Sequence, residues 1–262
     1  MKPVPVSRNR RHTLYLCEEV RAAAPVFLDT EVDMTGVTGH RSASARRYSV
    51  VAYVLQAAGR VLTAHPEANA AIRGRRRPRV LRYAGVSGKL TLDKRLGTDR
   101  VVLATVVPDL HTATLDTIQD RIDHFRDGDA ATMEEFAAVR ALHRLPTPLG
   151  RALFRLTTRP LRRRPELLGT VAVTSLGHRP VDGFQSVGGT TITLGVGRIA
   201  DRPVVRHGQI VVAPVMRLSL AFDHRVIDGA EAADVLSELK DHLEGGPADP
   251  HPAGAADSVT RP

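Results

Sequence analysis

Residues 218–236, LSLAFDHRVIDGAEAADVL, tie a strand to a helix through a corner crowded with charge. Leu218, Leu220 and Phe222 alternate with small or polar residues, the period of a strand with one buried face. The alternation stops at Asp223-His224-Arg225, and Asp228 and Gly229 then lead into an alanine-rich helical segment. Four ionisable side chains in such a corner mean either a solvated turn or a site. A turn has no need of a histidine between an acid and a base. At the end of a rigid strand, a histidine held in one rotamer and one tautomer serves as a general base near neutral pH, typically worth ~10²- to 10⁴-fold in rate. Asp228 can fix the surrounding geometry by pairing with an arginine, and Gly229 lets the chain turn tightly. A turn histidine with satisfied hydrogen bonds and an aspartate capping the helix are the competing readings, and this stretch alone leaves them level with catalysis.

Elsewhere the chain reads as mixed α and β, without the strict βαβα alternation of a doubly wound sheet. Residues 1–12 form an extended basic arm, and HTLYLCEEVRAAA reads as a helix followed by the strand PVFLDTEVDM. Residues 49–66 have helical spacing and stop at Pro66. RPRVLRYAG, SGKLTLDKRL and DRVVLATVVPD are strand-like, and ATLDTIQDRIDHFRDG is a helix capped by Thr114. GTVAVTSLG and GTTITLGVG are strands, and residues 203–222 make a hairpin around Gly208. Within 130–165, Leu149, Ala152, Leu153 and Leu156 fall on one helical stripe, with Arg151, Arg155 and Arg159 on a second. That spacing predicts a surface helix laid on the core, with a lid, a partner face or a membrane-surface helix as alternatives. The tail 246–262 has too little apolar content to pack and reads as disordered. The economical answer is one compact α/β layer sandwich with a mixed sheet.

Composition narrows the function. The chain has 262 residues, 42% of them apolar and 25% charged, enough for one large core. No apolar run reaches the ~18 residues of a membrane span, and the N-terminus lacks the apolar centre of a signal peptide. We therefore expect a cytoplasmic protein with no membrane contact. The single cysteine, Cys17, excludes an internal disulfide and a cysteine-based metal cage, so no metal is expected and Cys17 reads as a small buried hydrophobe. The net charge of +9 is almost all arginine, since lysine occurs only at 2, 89, 94 and 240. That bias reflects a GC-rich genome as much as any function. The runs RGRRRPR (73–79) and RPLRRRP (159–165) lack interleaved aromatics, and no zinc-finger or RNP pattern appears. Nucleic acid is therefore not expected. Solvated surface is the plain reading of these runs, and contact with a phosphorylated cofactor is the alternative.

The stretch LSLAFDHRVIDGAEAADVLSELKDHLE resembles the signature of the catalytic domain of 2-oxoacid dehydrogenase acyltransferases, the E2 components, which share their fold with chloramphenicol acetyltransferase. APVFLDTEVDMT is similar to that family's early strand, HPEANAAI to its helix-to-strand junction, and LATVVPDLHTATLDTIQDRI to a strand followed by a helix. VAVTSLG resembles its TISNLG, and LGVGRIADRPVVRHGQIVVAPVM its penultimate hairpin. The resemblance runs from about residue 8 to 245, and several motifs in the right order make it specific. It implies a chloramphenicol acetyltransferase-like two-layer sandwich over residues 13–245. It also implies that His224 is the base that takes a proton from the attacking thiol or hydroxyl. Asp228 matches the acid of the same motif, supported in the family by an N-terminal arginine, here Arg10, or Arg8 or Arg11 after a small slip. Thr174 stands where the family has a serine whose hydroxyl donates to the oxyanion. Asp223 and Arg225 read as structural, and Gly229 as part of the turn.

The catalytic motifs begin at about residue 8, so the lipoyl and subunit-binding domains of an E2 chain are not seen in this sequence. Residues 130–165 also look longer than the family's connection. These departures favour a freestanding transferase moving an acetyl or other short acyl group from acyl-CoA to a small-molecule hydroxyl, such as a tetronate natural-product intermediate in secondary metabolism. Acyl-CoA is then a co-substrate, with no permanently bound cofactor. The second reading is a dihydrolipoamide acyltransferase core served by lipoyl domains in trans. The third is a catalytically idle structural protein. The family also implies a homotrimer with active sites between subunits.

Overall fold

The computed structural model describes residues 3–74 and 76–246. The elements run α1 (Arg11–Val20), β1 (Pro25–Asp33), α2 (Thr35–Ala43), α3 (Val50–Ala64), β2 (Ala70–Arg73), β3 (Arg79–Arg82), β4 (Gly88–Leu96) and β5 (Asp99–Val107). They continue with α4 (Leu115–Asp127), α5 (Ala137–Arg144), α6 (Thr147–Thr158), α7 (Arg164–Leu167), β6 (Val171–Ser175), β7 (Ile192–Arg206), β8 (Gln209–Asp223) and α8 (Gly229–Glu244). Six strands make a mixed sheet in the order β1-β8-β7-β6-β4-β5, and β2 and β3 form a separate hairpin. The pairs β7/β6 and β6/β4 are parallel and the other neighbours in the sheet antiparallel.

One face of the sheet carries the core. Leu218, Leu220 and Phe222 of β8 meet Val171 and Val173 of β6 and Ile192, Leu194 and Val196 of β7 beneath α3, α4 and α8. These residues alternate with Ser219, Ala221 and Asp223, which a period of two turns to the opposite face. Helix α3 lies so deep that ten of its fifteen residues are buried. Its Gly59 is required: an added Cβ would lie 2.3 Å from the Leu110 carbonyl oxygen. The long β7–β8 hairpin closes on His207 and Gly208, whose φ values of 50° and 77° suit the twist of a tight two-residue turn.

Four expectations change. Arg8–Arg10 form a 3-10 turn running into α1, so the basic arm is extended only as far as Ser7, whose hydroxyl accepts the Asn9 N–H and donates to Asp99 at 2.6 Å. Cys17 is exposed, because α1 buries Tyr15 and turns Cys17 outward. Helix α6 is inverted relative to the amphipathic reading. Arg151 pairs with Glu18, Arg155 with Glu18 and Glu19, and Arg159 with Glu19, so the arginine stripe faces α1. Leu149, Leu153 and Leu156 are left 55, 42 and 74% exposed. The last change concerns Gly229, which opens α8 with no left-handed backbone and no neighbour within 4 Å of an added Cβ; the turn does not demand glycine there. The expected disordered tail, 246–262, lies outside the described residues from 247 onward. Among the described residues no helix is long and apolar enough to cross a membrane.

Candidate active site

The corner after β8 is built by backbone and by one ion pair. The His224 N–H donates to the Ala24 carbonyl at 2.9 Å, which carries the β1–β8 pairing one residue past the strand. Asp223 is 9% exposed, and its carboxylate accepts the backbone N–H groups of Ala24 and Arg225 and the Arg225 guanidinium. Burial pushes its pKa up, but the hydrogen bonds from Arg225 and Ala24 outweigh this and hold it below the ordinary carboxylate range. Asp223 and Arg225 thus hold the turn that carries His224.

The His224 ring lies against Phe222 at 5.5 Å between centroids. Its Nδ1 stands 3.1 Å from the Ile227 carbonyl oxygen and 3.3 Å from Asp228 Oδ1. Both neighbours are acceptors, so Nδ1 carries the hydrogen and the lone pair sits on Nε2. Nε2 has no hydrogen-bond partner among the described residues, and the side chain is half exposed. A ring held at one nitrogen in this way leaves the lone pair of the other open to accept a hydrogen. Asp228 stands at the cap position of α8 but makes no capping hydrogen bond; its carboxylate faces Nδ1 of His224. Arg10 lies in the 3-10 turn that packs on β5 and α5, and Arg11 donates to the His143 and Leu145 carbonyls. Among the described residues neither they nor Arg8 ion-pair with Asp228.

Thr174, one residue before the end of β6, lies on the face away from the core, where its hydroxyl accepts from Thr91 at 2.9 Å. Its own hydrogen remains free to donate. Within one chain Thr174 and His224 do not meet. Thr174 is in register with Gly195, and Gly195 with Ser219, five residues short of His224. Five residues along and two strands across separate them by about 16 Å and about 10 Å.

The sequence reading missed three polar residues. Thr91 orients Thr174, and its only mark was a place on a strand-like segment. Lys89 is 1% exposed, and its ammonium donates to the Gly188 carbonyl. Arg164 donates to the Gly189 carbonyl at 2.6 Å. The available signals were a lysine inside a strand, in a chain with so few lysines, and the place of Arg164 in the run RPLRRRP.

The mixed six-stranded sheet with its strand-end histidine is the chloramphenicol acetyltransferase-like fold. A chloramphenicol acetyltransferase superposes with a TM-score of 0.53 at 15% identity, covering 91% of this chain and 96% of that one. The dihydrolipoamide acetyltransferase of Azotobacter vinelandii superposes more closely, with a TM-score of 0.70 at 20% identity over 93% of this chain and 91% of that one. In that protein a serine, a histidine and an asparagine four residues after the histidine are the subjects of catalytic study. Residues 165–250 match the sequence model of the 2-oxoacid dehydrogenases acyltransferase (catalytic domain). The acetyltransferase component of the Bacillus subtilis pyruvate dehydrogenase complex is 60% identical over 47 residues. Those residues are 18% of this chain and 11% of that relative's length.

Proposed function

We propose that the chain is a CoA-dependent acyltransferase in which His224 is the general base, and that its acceptor is a thiol of the dihydrolipoyl type. The open Nε2 of His224 carries this reading. In the forward step Nε2 takes the proton from the acceptor S–H as sulfur attacks the thioester carbonyl of acyl-CoA. The carbonyl oxygen becomes an oxyanion that accepts a hydrogen bond from Thr174. The intermediate then collapses, the bond to the CoA sulfur breaks, and the leaving thiolate recovers the proton from Nε2. Losing an oxyanion donor typically costs ~10²- to 10³-fold, and proton transfer contributes on the order of 10²- to 10⁴-fold. Asp228 keeps the ring in its Nδ1–H tautomer, and Arg8, Arg10 or Arg11 of another copy is available to pair with its exposed carboxylate. The hydroxyl acceptor expected from sequence, tetronate intermediate included, has no observation of its own in its favour. The names of the relatives support the thiol.

The separation of Thr174 from His224 supports a site shared between copies, and hence a cyclic homo-oligomer, a homotrimer being the family's expectation. Two measurements test the reading. CoA release from acetyl-CoA is followed with dihydrolipoamide, with a lipoylated domain and with hydroxylated metabolites; transfer to the alcohols alone overturns the thiol assignment. Mixing His224→Ala chains with Thr174→Ala chains, each inactive by itself, should restore about a quarter of the wild-type sites after subunit exchange. No recovery in a verified mixed oligomer removes the shared site.

A further inference from the structure

A cavity of about 960 Å³ opens beside Ala221 and Asp223, walled by α1, α6, α7, β2 and the segment leading into β7. Its lining includes five arginines, at positions 21, 73, 159, 164 and 225, against three carboxylates, Glu18, Glu19 and Asp223. The carboxylates are already committed. Glu18 faces Arg151 at 2.8 Å, Glu19 faces Arg155 at 2.7 Å and Arg159 at 3.1 Å, and Asp223 holds Arg225 at 2.8 Å. Arg164 is left over. It is partly buried and donates to the Gly189 carbonyl, with no salt bridge to a carboxylate among the described residues.

Behind the same wall the buried Lys89 ammonium donates to the adjacent carbonyl, that of Gly188. The buried Lys89 and the partly buried Arg164 therefore each rest on a peptide carbonyl, and Glu19 and Asp223 favour the Arg164 charge only from beyond salt-bridge distance. Burial lowers the pKa of both, that of Lys89 to about 8, with the Arg164 charge acting in the same direction on Lys89. Such burial without a counter-ion is costly. The mouth adds to the imbalance. The runs RGRRRPR and RPLRRRP, eighty-odd residues apart in sequence, come together there: Arg73, Gly74 and Pro78 from the first and Arg159 and Arg164 from the second line one cavity. The Tyr83 hydroxyl, donating to the Leu161 carbonyl at 2.8 Å, ties the two segments.

We propose that this cavity is a binding site for a small molecule carrying more than one phosphate group, with Arg164 as the inner contact and Arg73 at the rim. Guanidinium forks match phosphate oxygens in pairs, and several of them converging on one volume fit a multiply charged ligand better than a single carboxylate. The site does not depend on the acyl-transfer reading. Its phosphates have two sources, the nucleotide end of acyl-CoA or a separate phosphorylated metabolite.

Inorganic pyrophosphate and adenosine 3′,5′-bisphosphate, titrated calorimetrically into the full chain, test the proposal. Both should bind, more weakly as salt is raised, and Arg164→Met should weaken them by about 10- to 100-fold. Arg95→Gln, an exposed arginine on β4, should change neither. Without ligand Arg164→Met should melt no lower than wild type, since it removes a partly buried cation that has no salt bridge. With pyrophosphate only the wild type should gain. Equal binding by wild type and Arg164→Met, or an equal loss in Arg95→Gln, overturns the site. If Arg164→Met does not fold, Arg73→Gln replaces it, and unchanged binding there is equally fatal. Displacement of pyrophosphate by CoA assigns the phosphates to the donor, whereas undisturbed binding under saturating CoA assigns a separate metabolite; either result keeps the site. His224→Ala, inactive in transfer, should bind pyrophosphate normally, so failure of one reading is distinguishable from failure of the other.

Discussion

Acidification should loosen this protein through one pair of histidines, and the effect can be sized from their contacts. His12 Nε2 stands 2.8 Å from the Val102 carbonyl oxygen, and its Nδ1 stands 2.8 Å from His143 Nε2. The carbonyl accepts, so His12 carries its hydrogen on Nε2 and receives one from His143 at Nδ1. The lone pair of His143 is then on Nδ1, a buried atom with no hydrogen-bond partner among the described residues. A second proton has nowhere favourable to go. Burial first, then the charges of His12 and Arg11, push the His143 pKa down from 6.5 to about 4. The His12 pKa is lowered by burial too, against hydrogen bonds to Val102 and Asn9 that raise it. Between pH 6.5 and about 4 the unfolded chain binds more protons at these sites than the folded one, so stability falls as pH falls. For His143 alone the loss relative to neutral pH is about 2 kcal/mol at pH 5 and about 3 kcal/mol at pH 4. The perturbation is His143→Gln, which keeps a donor for His12 but does not titrate. Urea unfolding from pH 7 to pH 5 should show wild-type stability falling by about 2 kcal/mol more than that of the variant. Parallel pH profiles for the two proteins would refute both the tautomer chain and its energetic weight.

The remaining predictions are shorter. His224→Ala should lose at least ~10²-fold in turnover with little change in melting temperature, since a half-exposed strand-end ring packs little core; retention of a tenth of wild-type turnover removes the general-base role. Thr174→Ala should lose ~10²-fold or more, while Thr174→Ser keeps the donor and most of the rate, as steady-state CoA release will show. Gly59→Ala forces a methyl to within 2.3 Å of the Leu110 carbonyl oxygen and should cost about 2 kcal/mol or more, read from thermal melts. Arg225→Gln removes the guanidinium that holds Asp223 down, so the strand-end turn and activity should become more sensitive to acid, the loss appearing as pH falls through the Asp223 range.

Much of the fold was legible because its signals are local. Thr114 was read as a helix cap, and its hydroxyl accepts the Thr117 N–H at 3.1 Å. The turn at Gly208, the stop near Pro66 and the alternation of Leu218, Leu220 and Phe222 likewise record local geometry. Helix α6 failed for a reason of the same kind. Its two stripes were both visible, but periodicity ranks apolar against polar and cannot see Glu18 and Glu19, some 130 residues away, offering three arginines their partners. Cys17 failed because residue type alone does not say which side of a helix faces inward.

For the site the limit is different. His224, Asp223, Arg225 and Asp228 lie within one corner and can be read together; in the structure Asp223 pairs with Arg225, and Asp228 faces His224. Thr174 was reachable only through resemblance, because nothing in a strand threonine marks an oxyanion donor. The register explains why. A residue on the far face of β6, five positions out of step with the histidine, has no local reason to be a hydroxyl; on the proposed reading the reason lies in the copy that shares the site. The same holds for Arg164 and Lys89. Each reads as ordinary surface charge or strand residue in sequence, and becomes chemically unusual only when the fold closes a cavity wall over it and supplies carbonyls in place of carboxylates. A charge left without its counter-ion by folding is information that exists only in three dimensions.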